Sequence, residues 1–327
     1  MDDMVHIDGS LGEGGGQVLR VSVALSAATK TPVRITDIRA NRKNPGLRPQ
    51  HVAAVRAVAD LCYAETRGLE IGSRELEFAP RDIPSGTVKV DVGTAGSVTL
   101  VLQAVLGALS APGAGPAEVT ITGGTDVIMA PSWDYFAHVL VPTLGRAGLD
   151  MDIECQRRGF YPKGGGKVVV RTEELAAPLE PIVPERTEVP TVEGSIVWSG
   201  LPDHIPQRID HAIRKELVDL NVGRIRKKHV ETSSPGVVAT LWTEMGNAVV
   251  GTSMVGRRGL PSERIGEELA REVRADIEAG ATADLHLLDQ LVVHSHLAKV
   301  GSKQIAREVS EHARTTMEVV GLFPVSH

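Results

Sequence analysis

Aromatic residues are scarce in this chain, at 3% of 327 residues. Proteins that hold single-stranded nucleic acid without sequence preference stack successive bases on such side chains, so an extended stacking platform is excluded. Cysteine is rarer still: Cys62 and Cys155 stand far apart, each in an apolar-patterned segment. Two distant thiols make neither a disulfide framework nor a zinc site, and both are expected in the core of a protein of the reducing cytoplasm. No apolar run approaches ~18 residues, and Met1-Asp2-Asp3-Met4 has neither the basic region nor the apolar stretch of a signal peptide. No membrane association is expected. Nor is there a cationic excess, since 35 Lys+Arg against 41 Asp+Glu leave a formal net charge of −6. Binding of nucleic acid by bulk charge is thereby excluded, and any polyanion has to be held by a local cluster.

Glycine, by contrast, is in surplus, at 34 of 327 residues, against a usual ~7%. An excess of the residue that costs most backbone entropy points to turns, or to backbone approaching a ligand. The length suggests two domains. Through the first half, period-two strand patterns (Val33, Ile35; Val88, Val90, Val92; Val119, Ile121; Met151, Ile153, Cys155) alternate with helical stripes. The stripes are Val52, Val55, Ala59, Cys62; then Val98, Val101, Leu102, Val105; then Phe136, Val139, Leu140, Leu144. This predicts an α+β fold with sheet-on-helix layers, its unit recurring about three times before residue 175. Pro178, Pro181, Pro184 and Pro190 mark a connector. After it a strand at 196–198, a helix at 206–219, strands at 237–243 and 248–254 turning at Gly246-Asn247, and a helix through Ile265, Leu269, Val273 and Ile277 predict an inserted β-α-β-β-α unit.

Four clusters can carry chemistry. Gly12-Glu13-Gly14-Gly15-Gly16-Gln17-Val18-Leu19-Arg20 opens an amphipathic helix with free backbone N–H groups, a good anion site, and Glu13 can hold a hard divalent cation. It matches neither the Walker loop nor the dinucleotide fingerprint, and a plain tight turn is the competing reading. Arg39, Arg42, Lys43 and Arg48 concentrate charge on a Pro/Gly loop ending at Gln50-His51, where guanidinium forks suit phosphate oxygens; a solvated loop competes equally. Gly93-Thr94-Ala95-Gly96-Ser97 enters a helix that carries Gln103. Arg158-Gly159-Phe160-Tyr161-Pro162-Lys163-Gly164-Gly165-Gly166 is a hairpin loop or a phosphate-contacting one. Near the far end, Asp289-Gln290 shares a helix with His294 and His296, and His312 follows in Ser310-Glu311-His312-Ala313-Arg314-Thr315-Thr316. Without a third ligand, His294 and His296 are expected to be packed or solvated.

In this order, GEGGGQVLR (12–20), RxxRxxPGLxxQH (39–51), GTAGSVTLVLQ (93–103), RGFYPKGGG (158–166), LLDQL (287–291) and SEHARTT (310–316) closely resemble one family, the RNA 3′-terminal phosphate cyclases. The resemblance covers essentially the whole chain. It implies a large domain of repeated β-α-β-α-β-β-type units, 1–183 with 281–327, and a small inserted domain, 184–280. It also implies ATP-driven conversion of an RNA 3′-phosphate to a 2′,3′-cyclic phosphodiester through a covalent histidine–AMP enzyme and an RNA-adenylate. Imidazole suits that route because it attacks while neutral and leaves again readily. Carried over by position, His312 is the nucleophile. Gln103, His286, Leu287, Leu288, Asp289 and Gln290 are implied to contact ATP. Gln17, Arg20, Arg39, Arg42 and Gln50 are implied to line the phosphates, and Glu13 to bind Mg²⁺ or Mn²⁺. Many relatives have Tyr where this chain has His286, a smaller ring to stack on adenine, so weaker ATP binding or a looser nucleotide preference is expected. The competing classes are a non-catalytic cyclase-like ribosome-biogenesis factor, which lacks the histidine, and an enolpyruvyl-type transferase, which needs no ATP. His312 opposes the first; the RGFYPKGGG and SEHARTT segments oppose the second.

Overall fold

A computed structural model describes residues 4–12 and 15–324, the Glu188 side chain excepted. Its first stretch runs β1 (Val5–Asp8), α1 (Gly16–Thr29), β2 (Val33–Thr36), α2 (Pro49–Cys62), β3 (Glu65–Arg67) and β4 (Leu76–Ala79). The same β-α-β-α-β-β order then returns in β5 (Gly86–Asp91), α3 (Val98–Leu109), β6 (Ala117–Gly123), a helix in three pieces, β7 (Met151–Arg157) and β8 (Gly166–Thr172). Those pieces are α4 (Trp133–Tyr135), a π-helical turn Phe136–Leu140 and α5 (Val141–Arg146). The sheets match as well, β1-β2-β4-β3 and β5-β6-β8-β7. In each, the first pair is parallel and the others antiparallel. A parallel pair needs a crossover, which α1 and α3 supply. The unit thus occurs twice before residue 175, not about three times. Three helical stripes are legible there, but each unit contains two helices.

The third block comprises β9 (Arg186–Ser199), α6 (His204–Glu216), β10 (Asn221–His229), β11 (Gly236–Gly246), β12 (Ala248–Val255) and α7 (Ser262–Glu278). Its sheet order is β10-β9-β11-β12, with β9 and β10 parallel around α6. The sequence pattern predicted β-α-β-β-α here and lacked β10. In NVGRIRKKH only Ile225 is buried, so no apolar alternation announces a strand. The β11–β12 hairpin turns at Gly246-Asn247 as expected, Gly246 at φ 79°. Pro190 falls inside β9 without harm to its ladders: pairing with β10 begins at Thr191, and the β11 register shifts between Glu244 and Gly246. A proline at an irregularity costs no sheet hydrogen bond.

Val192, Ile196, Ile209, Ile213, Leu241, Leu269 and Val273 form a core of their own between this sheet and α6 with α7. The last two helices, α8 (Leu285–Leu297) and α9 (Glu311–Val320), join the core of the repeated units through Leu287, Leu291 and Val319. The proline-rich connector is no loose tether. Leu179 and Ile182 are buried, and their carbonyls accept from Lys299 N at 2.8 Å and Lys303 N at 2.9 Å. Both cysteines are free, Cys62 buried and Cys155 half-buried, their thiols pushed up to about 11 by burial. Among the described residues no helix is long and apolar enough to cross a membrane.

Candidate active site

The N-terminal turns of five helices border one cavity of about 730 Å³. Gly15, Gly16 and Gln17 come from α1, Pro49 and Gln50 from α2, and Thr94 and Gly96 from the entry to α3. His286 comes from the first turn of α8 and His312 from that of α9. Helix N-termini favour an anion through the helix dipole, although α3, α8 and α9 spend part of their N–H groups on side-chain caps, at Ser97, Asp284 and Ser310. Side chains deepen the bias: Arg20, Arg39, Arg42 and Arg48 are on the wall, and Asp289 is the sole carboxylate among the described lining residues. Further along the same helices the lining turns apolar, at Val21, Ala24, Leu100 and Val293, with Tyr135 beside them. The cavity therefore grades from a cationic region at the helix ends to an apolar one.

Arg20 is half-buried and has no carboxylate partner among the described residues. Desolvation alone pushes its guanidinium down to about 10, still charged at neutral pH. Arg39 is held instead by the loop, its Nη1 donating to Asn44 O at 2.8 Å and Gly46 O at 2.9 Å. Burial, then the neighbouring charges of Arg48 and Arg42, lower it. His51 stays neutral: its Nδ1 accepts from Arg48 N at 3.0 Å, and burial with Arg20, Arg39 and Arg48 depresses it to about 3. Its ring lies so close to α1 that a Cβ on Gly16 would sit 2.1 Å from His51 Nε2; only glycine fits there. Gln50 Oε1 accepts from Ser97 N at 2.8 Å, joining the α2 and α3 entries.

His312 is half-buried, and its position is fixed by Gln17. The Gln17 Nε2 group donates to His312 O at 2.9 Å and Thr316 Oγ1 at 2.6 Å. That assigns the other amide atom, Oε1, as the acceptor facing His312 Nδ1. Nδ1 is then the proton donor of that bond. Gln17, expected on the phosphates, therefore spends its amide on α9. The helix is capped by Ser310, whose Oγ accepts from Ala313 N at 2.8 Å and donates to Asp289 Oδ1. Asp289 is raised by burial, against the opposing pull of Ser310, His286 and His312. Gln103 Nε2 donates to Gln290 Oε1 at 2.9 Å, and Gln290 Nε2 to His286 O at 2.9 Å.

Ten of the twelve residues predicted to carry or contact the reacting groups thus line the cavity: Gln17, Arg20, Arg39, Arg42, Gln50, Gln103, His286, Asp289, Gln290 and His312. Leu287 and Leu288 do not. At 100° per residue, His286, Asp289, Gln290 and Val293 share one face of α8, and the two leucines turn away from it into buried positions. Glu13 lies outside the described residues. Among those described, no group of three or more His, Cys, Asp or Glu side chains is placed to hold a metal ion. His294 is packed, with Nδ1 2.8 Å from Ser110 Oγ and burial pushing it down to about 4. Arg158, the alternative phosphate ligand, is turned inward. Its guanidinium pairs with Asp126 at 3.0 Å and with Asp134, whose other oxygen accepts from Ser195 Oγ at 2.6 Å. Met129, Pro131, Tyr135, Val293 and Ser253, which also line the cavity, carried no signal in sequence, since they come from stretches far apart in the chain.

A cavity bordered by helix N-termini and arginines, with a histidine on its wall, defines a class, proteins that bind an anion at helix ends. A family model described as RNA 3′-terminal phosphate cyclase matches residues 11–325. The chain is 42% identical over 328 residues to an RNA 3′-terminal phosphate cyclase of Ignicoccus hospitalis, covering 98% of this chain and 92% of that protein. It is 43% identical over 324 residues to one of Nitrosospira multiformis, covering 98% and 91%, and 42% identical over 321 residues to one of Pyrococcus furiosus, covering 98% and 93%. The chain belongs to the RNA 3′-terminal phosphate cyclase family, a family of enzymes.

Proposed function

We propose that this enzyme uses ATP to convert an RNA 3′-terminal phosphate into a 2′,3′-cyclic phosphodiester, with His312 as covalent carrier. The observation that supports this best is the Gln17–His312 arrangement. A neutral imidazole with Nδ1–H held by Gln17 Oε1 keeps the Nε2 lone pair for attack on the α-phosphate of ATP. A P–N bond forms there, the bond to the β-phosphate breaks, and pyrophosphate leaves with the electron pair. Gln17 Oε1 is placed to stabilise the positive charge that develops on Nδ1–H. The RNA 3′-phosphate then displaces His312 from phosphorus, and in a third step the 2′-OH displaces AMP, losing its proton to solvent or to a base. A phosphate monoester dianion is a poor electrophile, and adenylylation gives it a good leaving group.

Arg20, Arg39 and Arg42, with the helix N-termini, would stabilise the charge that accumulates on phosphorus oxygens in each transfer. The apolar lining by Val21, Ala24, Leu100 and Tyr135 suits an adenine, and Gln103, Asp289 and Gln290 offer it polar edges. Leu287 and Leu288 would act only by holding α8 in place. A divalent cation, Mg²⁺ or Mn²⁺ on Glu13, belongs to the same reading; no step above is routed through it. The reading also includes cytoplasmic residence and a division of the chain into 1–183 with 281–327 against 184–280, supported by the two separate cores.

The test is a 3′-phosphorylated oligoribonucleotide incubated with ATP and Mg²⁺. A product whose terminal phosphate resists phosphatase but opens in acid supports the proposal. Complete phosphatase sensitivity, with RNA still bound, would favour a non-catalytic cyclase-like ribosome-biogenesis factor.

A further inference from the structure

The edge strand β10 and the turn after Phe160 have no part in the chemistry just described, yet they share one face of a sheet. In β10, Ile225 is buried in the core with α6 and α7, so strand alternation turns Arg226 and Lys228 to the opposite face. There Arg226 pairs with Ser195 and Lys228 with Val197. The second repeated unit covers the middle of that face. Ser195 Oγ donates to Asp134, His138 stacks on Trp242 with ring centroids 4.0 Å apart, and Phe160 packs on Val197 and Val238. Burial lowers His138, and Arg226 adds to the effect against Asp134, as a cation on the same side must. At the sheet edge Arg226 and Lys228 are exposed.

Phe160 also joins this face to the reaction cavity. The chain leaves it through exposed Tyr161, Pro162 and Lys163 and returns at Gly164, whose N donates to Phe160 O at 2.8 Å. Lys163 N donates to Ser234 Oγ at 3.1 Å, tying the turn to the connection between β10 and β11. Gly164 rests on the entry to α3, where a Cβ would sit 2.8 Å from Ala95 Cα and 3.1 Å from Thr94 O. Thr94 lines the cavity. The turn therefore lies between the cavity wall and the Lys228 end of β10.

Two properties of this path point to a ligand. Lys227, on the other face of β10, is balanced by Asp210 at 2.7 Å, whereas Lys163, Arg226 and Lys228 have no carboxylate partner among the described residues. Glu193 is the one carboxylate in the stretch of β9 that pairs with β10. Deterrence of edge-to-edge pairing accounts for charge on an edge strand, but not for an exposed ring beside it. Tyr161 is 72% exposed, and Tyr63, the other exposed aromatic side chain among the described residues, caps the far end of α2. A ring with unpaired cations is the combination that holds single-stranded nucleic acid.

We propose that the RNA upstream of the reacting 3′-phosphate leaves the cavity past Thr94, crosses the Tyr161–Lys163 turn and runs along the Arg226 and Lys228 face of β10. One base stacks on Tyr161, and successive phosphates meet Lys163, Lys228 and Arg226. This rests on the cyclase reading above.

The test uses the full-length protein and two 3′-phosphorylated probes, a single-stranded 12-mer RNA and a nucleoside 3′-phosphate. Tyr161→Ala should weaken 12-mer binding by fluorescence anisotropy about tenfold, the scale of one stacked base, and Tyr161→Phe should not. The double variant Arg226→Gln, Lys228→Gln should flatten the slope of log affinity against log salt by about 1.4, the value of two phosphate contacts on a single strand. Lys227→Gln, the same charge change on the other face, should leave affinity and slope as they are. AMP adduct formation from ATP and competition by the nucleoside 3′-phosphate should match the wild type throughout. Unchanged 12-mer affinity in Tyr161→Ala and the double variant, an equal loss in Lys227→Gln, equal losses for both probes, or no 12-mer binding by the wild type overturns the proposal. So does a polyglutamate peptide that competes as well as the 12-mer, which would give the face to an acidic protein segment. If the wild type forms no AMP adduct but the 12-mer losses appear, the RNA path stands and the cyclase reading falls.

Discussion

Arg20 and Arg158 stand in the same kind of sequence, each beside a run of three glycines, yet the fold uses them in opposite ways. Arg158 is enclosed with Asp126 and Asp134, which raise it. It ties the second repeated unit to β9 through Asp134 and Ser195. Arg20 faces a cavity with no carboxylate partner among the described residues, and burial lowers it to about 10. A charge compensated inside the protein is structural; one left uncompensated at a concave wall is available to a ligand. The glycines differ to match. Gly16 makes room for His51 at the helix entry, whereas Gly164 and Gly165, at φ 65° and 74°, shape a loop.

The contrast can be broken by exchanging the expected losses. Arg158→Ala strands two carboxylates in a buried site and should cost about 3–5 kcal/mol of stability, read as a fall of roughly 10 °C in Tm. Adding Asp126→Asn and Asp134→Asn should recover much of it. Arg20→Ala should do the reverse, leaving Tm unchanged or higher while slowing AMP adduct formation about 10²- to 10³-fold. Equal thermal losses in the two variants would erase the distinction.

Gln17→Leu keeps the bulk but removes the acceptor facing Nδ1–H. Adduct formation should slow about 10- to 100-fold, the value of a hydrogen bond to a charged group, and Gln17→Glu should retain more activity than Leu. Acid reads the same wall in another way. His51 and His294 are depressed to about 3 and about 4, so the unfolded chain binds protons at about pH 6.5 that the folded one refuses. Their contribution to stability is complete above that pH and is lost as pH falls toward 4. Tm should fall across that window, and less steeply in His51→Gln. The smallest effect is expected from His286→Tyr, which enlarges a ring on the cavity wall and should lower the KM for ATP a few-fold, with kcat unchanged.

Much of this was legible in sequence because two periodicities and six short motifs carry it. The alternation of Val88, Val90 and Val92 and the stripe of Val98, Val101 and Leu102 specify layers without reference to the rest of the chain. That His312, Arg20 and Gln103 share one cavity was legible through motif order. What escaped depends on geometry that only the fold creates. β10 hides behind cations because an edge strand needs little burial. Leu287 and Leu288 share a motif with Asp289 and Gln290 but not their helix face. The contact of Gln17 with α9 was hidden because sequence gives its neighbours along the chain, and its partner is 295 residues away.

The central claim is that Nε2 of His312 becomes adenylylated, and intact-protein mass spectrometry tests it most directly. After incubation with ATP and Mg²⁺ the wild type should gain the mass of one AMP, the label should map to His312 and be released by acid, and His312→Ala should gain nothing while His294→Ala and His296→Ala still do. An adduct that persists in His312→Ala, or a wild type that stays unmodified under conditions where RNA is cyclised, would contradict the account.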